Sequence, residues 1–351
     1  MKILLSGFCL LSFLSLSAQD SLTILFAGDA MMHQKQLDNT RRGDFFDLGS
    51  YFANIEREVK SADIAVVNFE VPLGGEPYSG YPAFSAPEDF ALALQKAGFD
   101  FFLLANNHCL DRRTRGFVRT IQALDSLGIR HTGTFLDCDH RHRTYPMLLR
   151  KKDFRIIMLN YTYGTNGLKV DIPRIINYID KEIMKGDFII ANMHWGLEYE
   201  RIPSREQREL ADWLLRQGVD LVIGSHPHVV QPMELRRGKE GVTDRLVVYS
   251  LGNFISNMSR EHTDGGVMVK VVLGRKGLRR YIVSAQYSLI YSSRYKNEQG
   301  KEDIRVVPAA SWLGKNQNSS FSVDSALIKY VNNTRLFLKG NNKEVEEYIF
   351  E

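Results

Sequence analysis

Two histidines near the middle of the chain, His226 and His228, stand two residues apart in a Gly-Ser-His-Pro-His segment. The apolar run 221–223 before them is typical of a buried strand, so both follow the carboxyl end of that strand. Side chains of an extended segment alternate with a period of two, and we therefore expect both imidazoles on the same side. Such a pair could supply two nitrogen ligands to a metal. Taken alone, such a spacing is more often a surface coincidence than a metal site.

Other apolar runs also end in side chains that can bind metals or move protons. These are Asp29 after 22–26, Glu70 after 64–67, Asn107 and His108 after 99–104, His194 after 188–191, and Asn253 after 246–249. Each has an ordinary structural explanation, since an Asp can cap a helix and a His can pack in a core. Their recurrence at strand ends favours one shared site at the carboxyl edge of the sheets.

The set of candidate ligands is made of nitrogen and oxygen atoms and contains no cysteine. Such a set suits Mn, Fe or Zn better than a thiolate site or an all-oxygen Mg or Ca site. Two such ions about 3.5–4 Å apart activate water and hold the oxygens of a displacement reaction. His108 could act as a general acid, and Asp111 could hold its tautomer. His33, four residues after Asp29, is a further candidate ligand.

The first 18 residues have the pattern of a signal peptide. A basic start, Met1-Lys2, precedes the apolar stretch 3–16, and small residues of Ser15–Ala18 offer cleavage positions. We therefore expect an exported protein, periplasmic or at the cell surface, that is soluble after cleavage. No later run approaches the roughly 20 apolar residues of a membrane-spanning helix.

Alternation of strands and helices predicts an α/β fold. Helical patterns over 90–97, 117–127 and 206–217 each end at a glycine, and a strand-like run follows each of them. We predict a main domain over 21–272 and a C-terminal extension, 273–351, packed on it. In that extension we expect a strand over 280–289, a polar loop over 295–303 and helical structure over 322–350, with breaks at Asn332-Asn333 and Gly340-Asn341.

Composition bounds the class of protein. With 44% hydrophobic and 25% charged residues the chain is an ordinary globular protein. A net charge of +4, with no arginine-rich run or basic helix, gives no indication of a nucleic-acid partner. The charge suits an anionic polymer, and a solvated basic surface explains it equally well. Cys109 and Cys138 could pair in an oxidising compartment, or Cys109 could simply pack beside His108.

Six segments together resemble the CapA family of the calcineurin-type metallophosphoesterase superfamily, whose members are bacterial capsule synthesis proteins linked to poly-γ-glutamate. The segments are Gly28-Asp29-Ala30-Met31, Asn68-Phe69-Glu70-Val71-Pro72-Leu73, Ala105-Asn106-Asn107-His108 with Asp111, His194-Trp195-Gly196-Leu197-Glu198, His226-Pro227-His228-Val229-Val230-Gln231-Pro232 and Tyr249-Ser250-Leu251-Gly252-Asn253-Phe254. The resemblance covers roughly residues 21–272. It implies a four-layer αββα sandwich with a C-terminal extension.

The resemblance also implies roles for individual residues. One divalent metal would be held by Asp29, Glu70 and His228, and a second by Glu70, Asn107, His194 and His226. His108 and Asp111 would be catalytic, and Glu198 and Asn253 would bind substrate. Two departures stand out: Met31 replaces the usual histidine of an Asp-x-His motif, and Glu70 replaces an Asp. The first metal then lacks a ligand unless His33 or water replaces it.

Three functions follow from these expectations. The first is an exported metal-dependent hydrolase of capsule or exopolymer biosynthesis, acting on a phosphoester or a polymer amide. The second is a non-catalytic accessory, stabilised by metal, that binds an anionic polymer or membrane-bound components of a capsule synthase. The third is a general periplasmic phosphoesterase.

Overall fold

The computed structural model describes residues 21–162, 188–238, 244–276, 279–297, 300–316 and 325–351, so the predicted signal peptide lies outside the described residues. Its strands are β1 Ser21–Ala30, β2 Arg41–Arg42, β3 Phe45–Phe46, β4 Ile64–Phe69, β5 Phe101–Leu103, β6 Arg130–Thr132, β7 Met147–Lys151, β8 Phe154–Thr162, β9 Phe188–His194, β10 Leu221–Ser225, β11 Met233–Arg236, β12 Arg245–Val248, β13 Asn253–Ile255, β14 Gly265–Lys276, β15 Arg279–Lys296, β16 Glu302–Pro308 and β17 Glu346–Glu347. Its α-helices are α1 Gln34–Thr40, α2 Glu56–Ser61, α3 Glu88–Ala97, α4 Arg113–Ser126, α5 Cys138–Thr144, α6 Arg205–Arg216, α7 Ala309–Asn316 and α8 Ser325–Asn341.

Two large sheets form the centre of the molecule. The first has the order β16-β15-β14-β1-β4-β5-β6, with β13 beside β1 and β17 beside β15, and the second has the order β11-β12-β10-β9-β8-β7. Pairing is parallel along β1-β4-β5-β6 in the first sheet and along β8-β9-β10-β12 in the second, as in α/β folds whose sheets are covered on both faces. The parallel strands therefore end at a common edge in each sheet.

Side chains alternate in direction along each strand, so both faces of the two sheets are packed and the fold has four layers. Phe26 of β1 and Ile190 of β9 point into an apolar cluster between the two sheets. Leu25 points the other way, into a cluster that includes residues of α2, α3 and α4. On the outer face of the second sheet, Ile189 packs in a cluster with Leu214 of α6. Helices, sheet, sheet and helix therefore stack in that order, which confirms the predicted αββα sandwich.

The predicted helices of the main domain are confirmed with small shifts of their ends. Gly98, at the end of α3, has a left-handed backbone (φ 111°) and donates its N–H to the carbonyl of Gln95. That conformation is accessible to glycine without steric cost, which explains why the helical pattern stops there. α6 begins with a capping box in which the Ser204 side chain accepts from the N–H of Gln207. α4 begins at Arg113, four residues before the predicted start.

The C-terminal part differs from the sequence-based expectation in three places. The polar loop expected over 295–303 is shorter than predicted, because β15 continues to Lys296 and β16 begins at Glu302. Long antiparallel pairing with β14 and β16 supplies backbone hydrogen bonds that outweigh the weak strand propensity of this segment. The break expected at Asn332-Asn333 is wrong, because α8 runs through it and buries Val331 and Thr334. A short strand, β17, stands where the sequence predicts further helix.

The strands after residue 272 join the first sheet directly. β14 continues to Lys276, and β15 and β16 extend the sheet on the far side of β14. Among the described residues, no helix combines the length and the apolar character needed to cross a bilayer.

Candidate metal centre

The carboxyl ends of β1, β4, β9 and β10 converge where the two sheets meet, and they bring most of the predicted ligands together. The absence of a side chain at Gly28 lets its backbone lie close to that of Gly252, because a Cβ there would be 1.9 Å from the Gly252 carbonyl oxygen. The close contact lets β1 pair with β13, so that Asp29 stands opposite Asn253.

Asp29 and His228 form a buried ion pair within this site. His228 Nδ1 lies 3.0 Å from Asp29 Oδ2, and the relative exposure of the two side chains is 2% and 0%. Burial acts to raise the pKa of Asp29, but the hydrogen bond and charge of His228 outweigh it and bring that pKa to about 2. For His228 burial acts in the opposite sense, and Asp29 raises its pKa overall. Asp29 is therefore held as a carboxylate, and each of the two groups favours the charged form of the other.

Glu70 is a second buried carboxylate beside Asp29, and His228, which pairs with Asp29 at 3.0 Å, lies farther from it. Its Oε1 atom is fully buried and accepts no hydrogen bond from the described residues. This oxygen lies 3.4 Å from Nε2 of His194 and 3.8 Å from Nε2 of His228. Burial, and then the charge of Asp29, raises the pKa of Glu70 well above its ordinary value. A divalent cation would supply the missing positive charge at this position.

His194 closes the other side of the site. Its Nε2 lies 2.9 Å from Oδ1 of Asn107, whose side chain is exposed at the end of β5. Burial, and then the neighbouring His226, lowers the pKa of His194 well below its ordinary value, so the ring is neutral and can offer a lone pair. The predicted ligands Asn107, His194 and Glu70 are thus brought together.

Asn68 is a site residue to which the sequence interpretation gave no role. Its Nδ2 atom donates to Asp29 Oδ1 at 2.7 Å and to Glu70 Oε2 at 3.3 Å. The same nitrogen lies 3.3 Å from Nδ1 of His194. Asn68 stands two residues before Glu70 at the end of β4, and this period-two spacing is the signal that could have placed both on one face. One amide therefore orients three candidate ligands.

His226 and His228 do not lie in an extended segment, so that expectation is wrong. β10 ends at Ser225, and the two histidines have positive φ values of 100° and 59°. Residues other than glycine adopt this region at a cost of about 1–3 kcal/mol, and such strain is concentrated at functional sites. The rings nevertheless converge, because Glu70, His226 and His228 offer ligand atoms within 4.8 Å of one another. The buried Nδ1 of His226 has no hydrogen-bond partner among the described residues.

His108 and Asp111 form the predicted pair beside these ligands. His108 Nδ1 lies 2.8 Å from Asp111 Oδ2, and the same oxygen accepts the backbone N–H of Phe84 at 2.9 Å. Because a carboxylate only accepts hydrogen bonds, Nδ1 of His108 carries the proton, and Nε2 remains available for a second interaction. The ring of Phe84 packs edge-on to His108 with centroids 4.8 Å apart and limits its movement.

His33 and Met31 stand apart from the converging ligands. His33 Nδ1 accepts the backbone N–H of Asn257 at 3.2 Å, and His33 is in neither of the two groups of residues whose atoms could share a metal. Burial lowers its pKa to about 4. Met31 is buried among the apolar residues on the helix side of the first sheet. Neither side chain therefore takes the place of the ligating histidine in the Asp-x-His motif.

The two residues predicted to bind substrate occupy different environments. Glu198 is exposed at the rim, beyond the end of β9. Asn253 is fully buried; its Oδ1 lies 3.1 Å from His228 Nδ1 and its Nδ2 donates to the carbonyl of Thr263. The geometry gives Asn253 a positioning contact with His228, and its contact with substrate stays a prediction.

Two overlapping groups of side chains fit a metal-binding role. Glu70, His226 and His228 form one, Asp29, Glu70 and His194 form the other, and Glu70 belongs to both. The donors are nitrogen and oxygen atoms, which suits a borderline divalent cation. The buried oxygen of Glu70 and the buried nitrogen of His226, both unpartnered among the described residues, are the kind of atoms that an ion would satisfy.

The αββα fold and its cluster of carboxylates and imidazoles define a class of protein with a candidate metal centre between two sheets. The family model described as bacterial capsule synthesis protein PGA_cap matches residues 23–258. This match spans more than half of the 351 residues, so the chain belongs to the PGA_cap family of bacterial capsule synthesis proteins. The predicted membership of the CapA family is confirmed.

Individual relatives agree with this membership. The capsule biosynthesis protein CapA of Bacillus anthracis is 28% identical over 282 residues, which cover 74% of this chain and 65% of that protein. The PGA biosynthesis protein CapA of Bacillus subtilis (strain 168) is 26% identical over 288 residues, which cover 76% of this chain and 72% of that protein. The chain thus spans just under two thirds of the Bacillus anthracis protein's length.

A solved structure, the 5'-nucleotidase precursor of Thermus thermophilus, aligns over 90% of this chain and 59% of that one, with 12% identity and a TM-score of 0.44.

Proposed function

We propose that this protein is an exported metal-dependent hydrolase that serves the biosynthesis of a bacterial capsule or a related anionic exopolymer such as poly-γ-glutamate. Membership of the PGA_cap family supports the role in capsule synthesis. The observation that carries the hydrolase proposal is the buried Oε1 of Glu70, which has imidazole nitrogens of His194 and His228 at 3.4 and 3.8 Å.

The ligands proposed for the metal follow from the two groups of donors. Asp29, Glu70 and His194, with the amide oxygen of Asn107, would hold one ion, and Glu70, His226 and His228 would hold another. Bound Mn, Fe or Zn would supply Lewis acidity and an activated water at this position. Asn68 fixes the carboxylate oxygens that would face the ions, so the ligands are oriented before binding.

His108 is the proposed proton donor of the reaction. Its Nδ1–H is held by Asp111, which leaves Nε2 to carry the proton given to the leaving group. Phe84 fixes both partners, since its N–H binds Asp111 and its ring packs on His108. The bond that breaks is a phosphoester or an amide of the polymer, and Glu198 at the rim is proposed to contact that substrate.

Met31 favours a second candidate, an accessory protein that needs metal for its structure only. This side chain is buried among apolar residues where the superfamily usually has a ligating histidine. An incomplete ligand shell would hold a metal more weakly and would activate water less well. In this candidate the protein binds the polymer or the membrane-bound synthase without turnover.

One experiment separates the two candidates. Wild type and His108→Ala are assayed on a phosphodiester and on poly-γ-glutamate, and both are returned to a capsulated strain that lacks this protein. The hydrolase proposal predicts turnover by wild type, and loss of both turnover and capsule in His108→Ala with its metal content unchanged. Full capsule with His108→Ala, together with no turnover by metal-loaded wild type, would show the accessory function instead.

A further inference from the structure

The excess positive charge of the chain is concentrated in residues 130–155. This segment holds seven Lys and Arg residues against three Asp residues, an excess of four. The whole chain has 45 Lys and Arg against 41 Asp and Glu, which is the same excess, so the remainder is electrically balanced. We call residues 130–155 the basic edge.

The basic edge lies on one side of the sandwich. It runs from β6, the last strand of the first sheet, through α5 to β7, the last strand of the second sheet, and into β8. Arg130, Arg143, Arg150 and Lys151 are exposed, and no carboxylate of the described residues lies within ion-pair distance of them. Lys152 differs, since it pairs with Asp63 at 2.8 Å. Exposed cations without a protein counter-charge attract an external anion.

A cavity of about 290 Å³ opens within the basic edge, between the end of α4, β6, α5 and β7. Ile129, Phe135 and Met147 give it apolar walls, and Arg130 also lines it. Two further lining residues, His131 and Thr134, each have a buried polar atom with no hydrogen-bond partner among the described residues: Nδ1 of His131 and Oγ1 of Thr134. Buried polar atoms are normally satisfied, so both atoms are available to a group bound in the cavity.

The hydrogen-bonding character of His131 Nδ1 and Thr134 Oγ1 indicates which chemical group could bind in the cavity. His131 Nε2 lies 3.1 Å from Asp125 Oδ1, and a carboxylate only accepts, so Nε2 carries the proton and Nδ1 accepts. Burial lowers the pKa of His131 and thereby favours this neutral ring. The hydroxyl of Thr134 can donate. An acceptor and a donor lining one cavity match the N–H and the C=O of an amide.

We propose that the basic edge binds a linear polyanion whose repeating units are joined by amides, with one unit seated in the cavity at His131 and Thr134. This inference rests on the proposed function only for the presence of such a polymer. The carboxylates would contact Arg130, Arg143, Arg150 and Lys151. A polyphosphate offers the same negative charge but has no amide N–H for His131, so the cavity discriminates between the two.

The test measures binding of fluorescently labelled poly-γ-glutamate to the purified full chain by anisotropy, with inorganic polyphosphate and phosphatidylglycerol vesicles as comparison probes. The charge variant is Arg143→Gln/Arg150→Gln/Lys151→Gln. Its control, Arg57→Gln/Lys96→Gln/Lys339→Gln, removes the same charge from exposed positions on α2, α3 and α8. Thr134→Val and His131→Phe probe the cavity with little change of shape.

We expect the charge variant to bind poly-γ-glutamate roughly tenfold more weakly, because each exposed ion pair with the polymer contributes modestly and three are lost. The affinity of the control for the polymer should change less than about twofold. Thr134→Val and His131→Phe should weaken the binding of poly-γ-glutamate severalfold and leave the binding of polyphosphate unchanged. Equal effects of the charge variant and its control would overturn the basic edge as a binding surface. Unchanged affinity in both cavity variants would overturn the amide site.

Two other results would also contradict the inference. If vesicles bind through the basic edge and poly-γ-glutamate does not compete, the edge contacts a membrane surface. If the charge variant binds normally but self-associates in size-exclusion chromatography, its charges only prevent strand pairing at the exposed β7. Metal content and phosphodiester turnover, recorded on the same samples, report on the proposed function independently of polymer binding.

Discussion

Oε1 of Glu70 lies 3.4 Å from Nε2 of His194, and both side chains are buried. Glu70 comes from the end of β4 in the first sheet and His194 from the end of β9 in the second, so this contact joins the two halves of the sandwich. No hydrogen-bond donor of the described residues satisfies that oxygen. The two sheets therefore meet at a buried carboxyl group, and this is where the proposed cation would bind.

Replacing His108 with Ala should leave metal content unchanged and lower kcat by about 10²–10⁴, the range for loss of a general acid. Asp111→Asn should lower kcat less, by about tenfold to a hundredfold, because the ring stays but loses the carboxylate that holds it. Steady-state kinetics on a phosphodiester measure both effects. His142→Ala, an exposed histidine of α5, is the control. Full activity in His108→Ala would remove its catalytic role.

Gly28→Ala should destabilise the fold by more than about 2 kcal/mol, because the added Cβ meets the backbone oxygen of Gly252 and must push β1 and β13 apart. Gly340→Ala is a matched substitution in α8, where a Cβ meets nothing within 4 Å. It should be stabilising by about 0.5–1 kcal/mol, because alanine is the better helix former. Urea unfolding of the two variants gives both values, and equal effects would show that the close strand approach is unimportant.

Cys109 and Cys138 should differ in reactivity towards iodoacetamide. Both are free; Cys138 is exposed at the start of α5 and Cys109 is buried. Burial raises the pKa of Cys109 to about 11, so at pH 8 very little of it is the reactive thiolate. Alkylation of Cys109 should be slower by about two orders of magnitude than that of an ordinary thiol with a pKa near 8.5. Peptide mapping without reductant gives the rates, and a disulfide-linked peptide would contradict the structure.

The position of the candidate ligands was predictable because each follows an apolar run, and parallel strands finish at a shared edge. Asp29, Glu70, Asn107, His194, His226 and His228 are indeed brought together in the structure. The backbone at His226 was not predictable, since its left-handed conformation depends on contacts with elements that are distant in sequence. Asn68 was missed although its spacing from Glu70 places both on one face.

The C-terminal errors have a different physical origin. Polar residues of 295–303 resemble a loop locally, but Lys296 pairs with Glu302 in a ladder that only the neighbouring strands determine. Asn332-Asn333 weakens a helix locally, yet burial of Val331 and Thr334 outweighs that low propensity. Tertiary contacts overrode local preference in both segments.

Binding of a divalent cation should also stabilise the fold. A cation at about a hundredfold excess over its dissociation constant adds about 2.7 kcal/mol to the unfolding free energy, and Tm should rise accordingly. His226→Ala removes one ligand of a group that holds Glu70 and His228, so the rise should be smaller. Differential scanning fluorimetry with Mn or Zn measures the shift, with His142→Ala as the control. Equal shifts in wild type and His226→Ala would exclude His226 as a ligand.

If Glu70 is shared by two metal positions, the metal content of each chain depends on that one carboxylate. Elemental analysis after loading and desalting should find two divalent ions in wild type and fewer than one in Glu70→Gln. Glu209→Gln, on an exposed glutamate of α6 with 63% side-chain exposure, should retain the wild-type content. A wild-type protein without bound metal, or a Glu70→Gln variant with undiminished metal, would contradict the account.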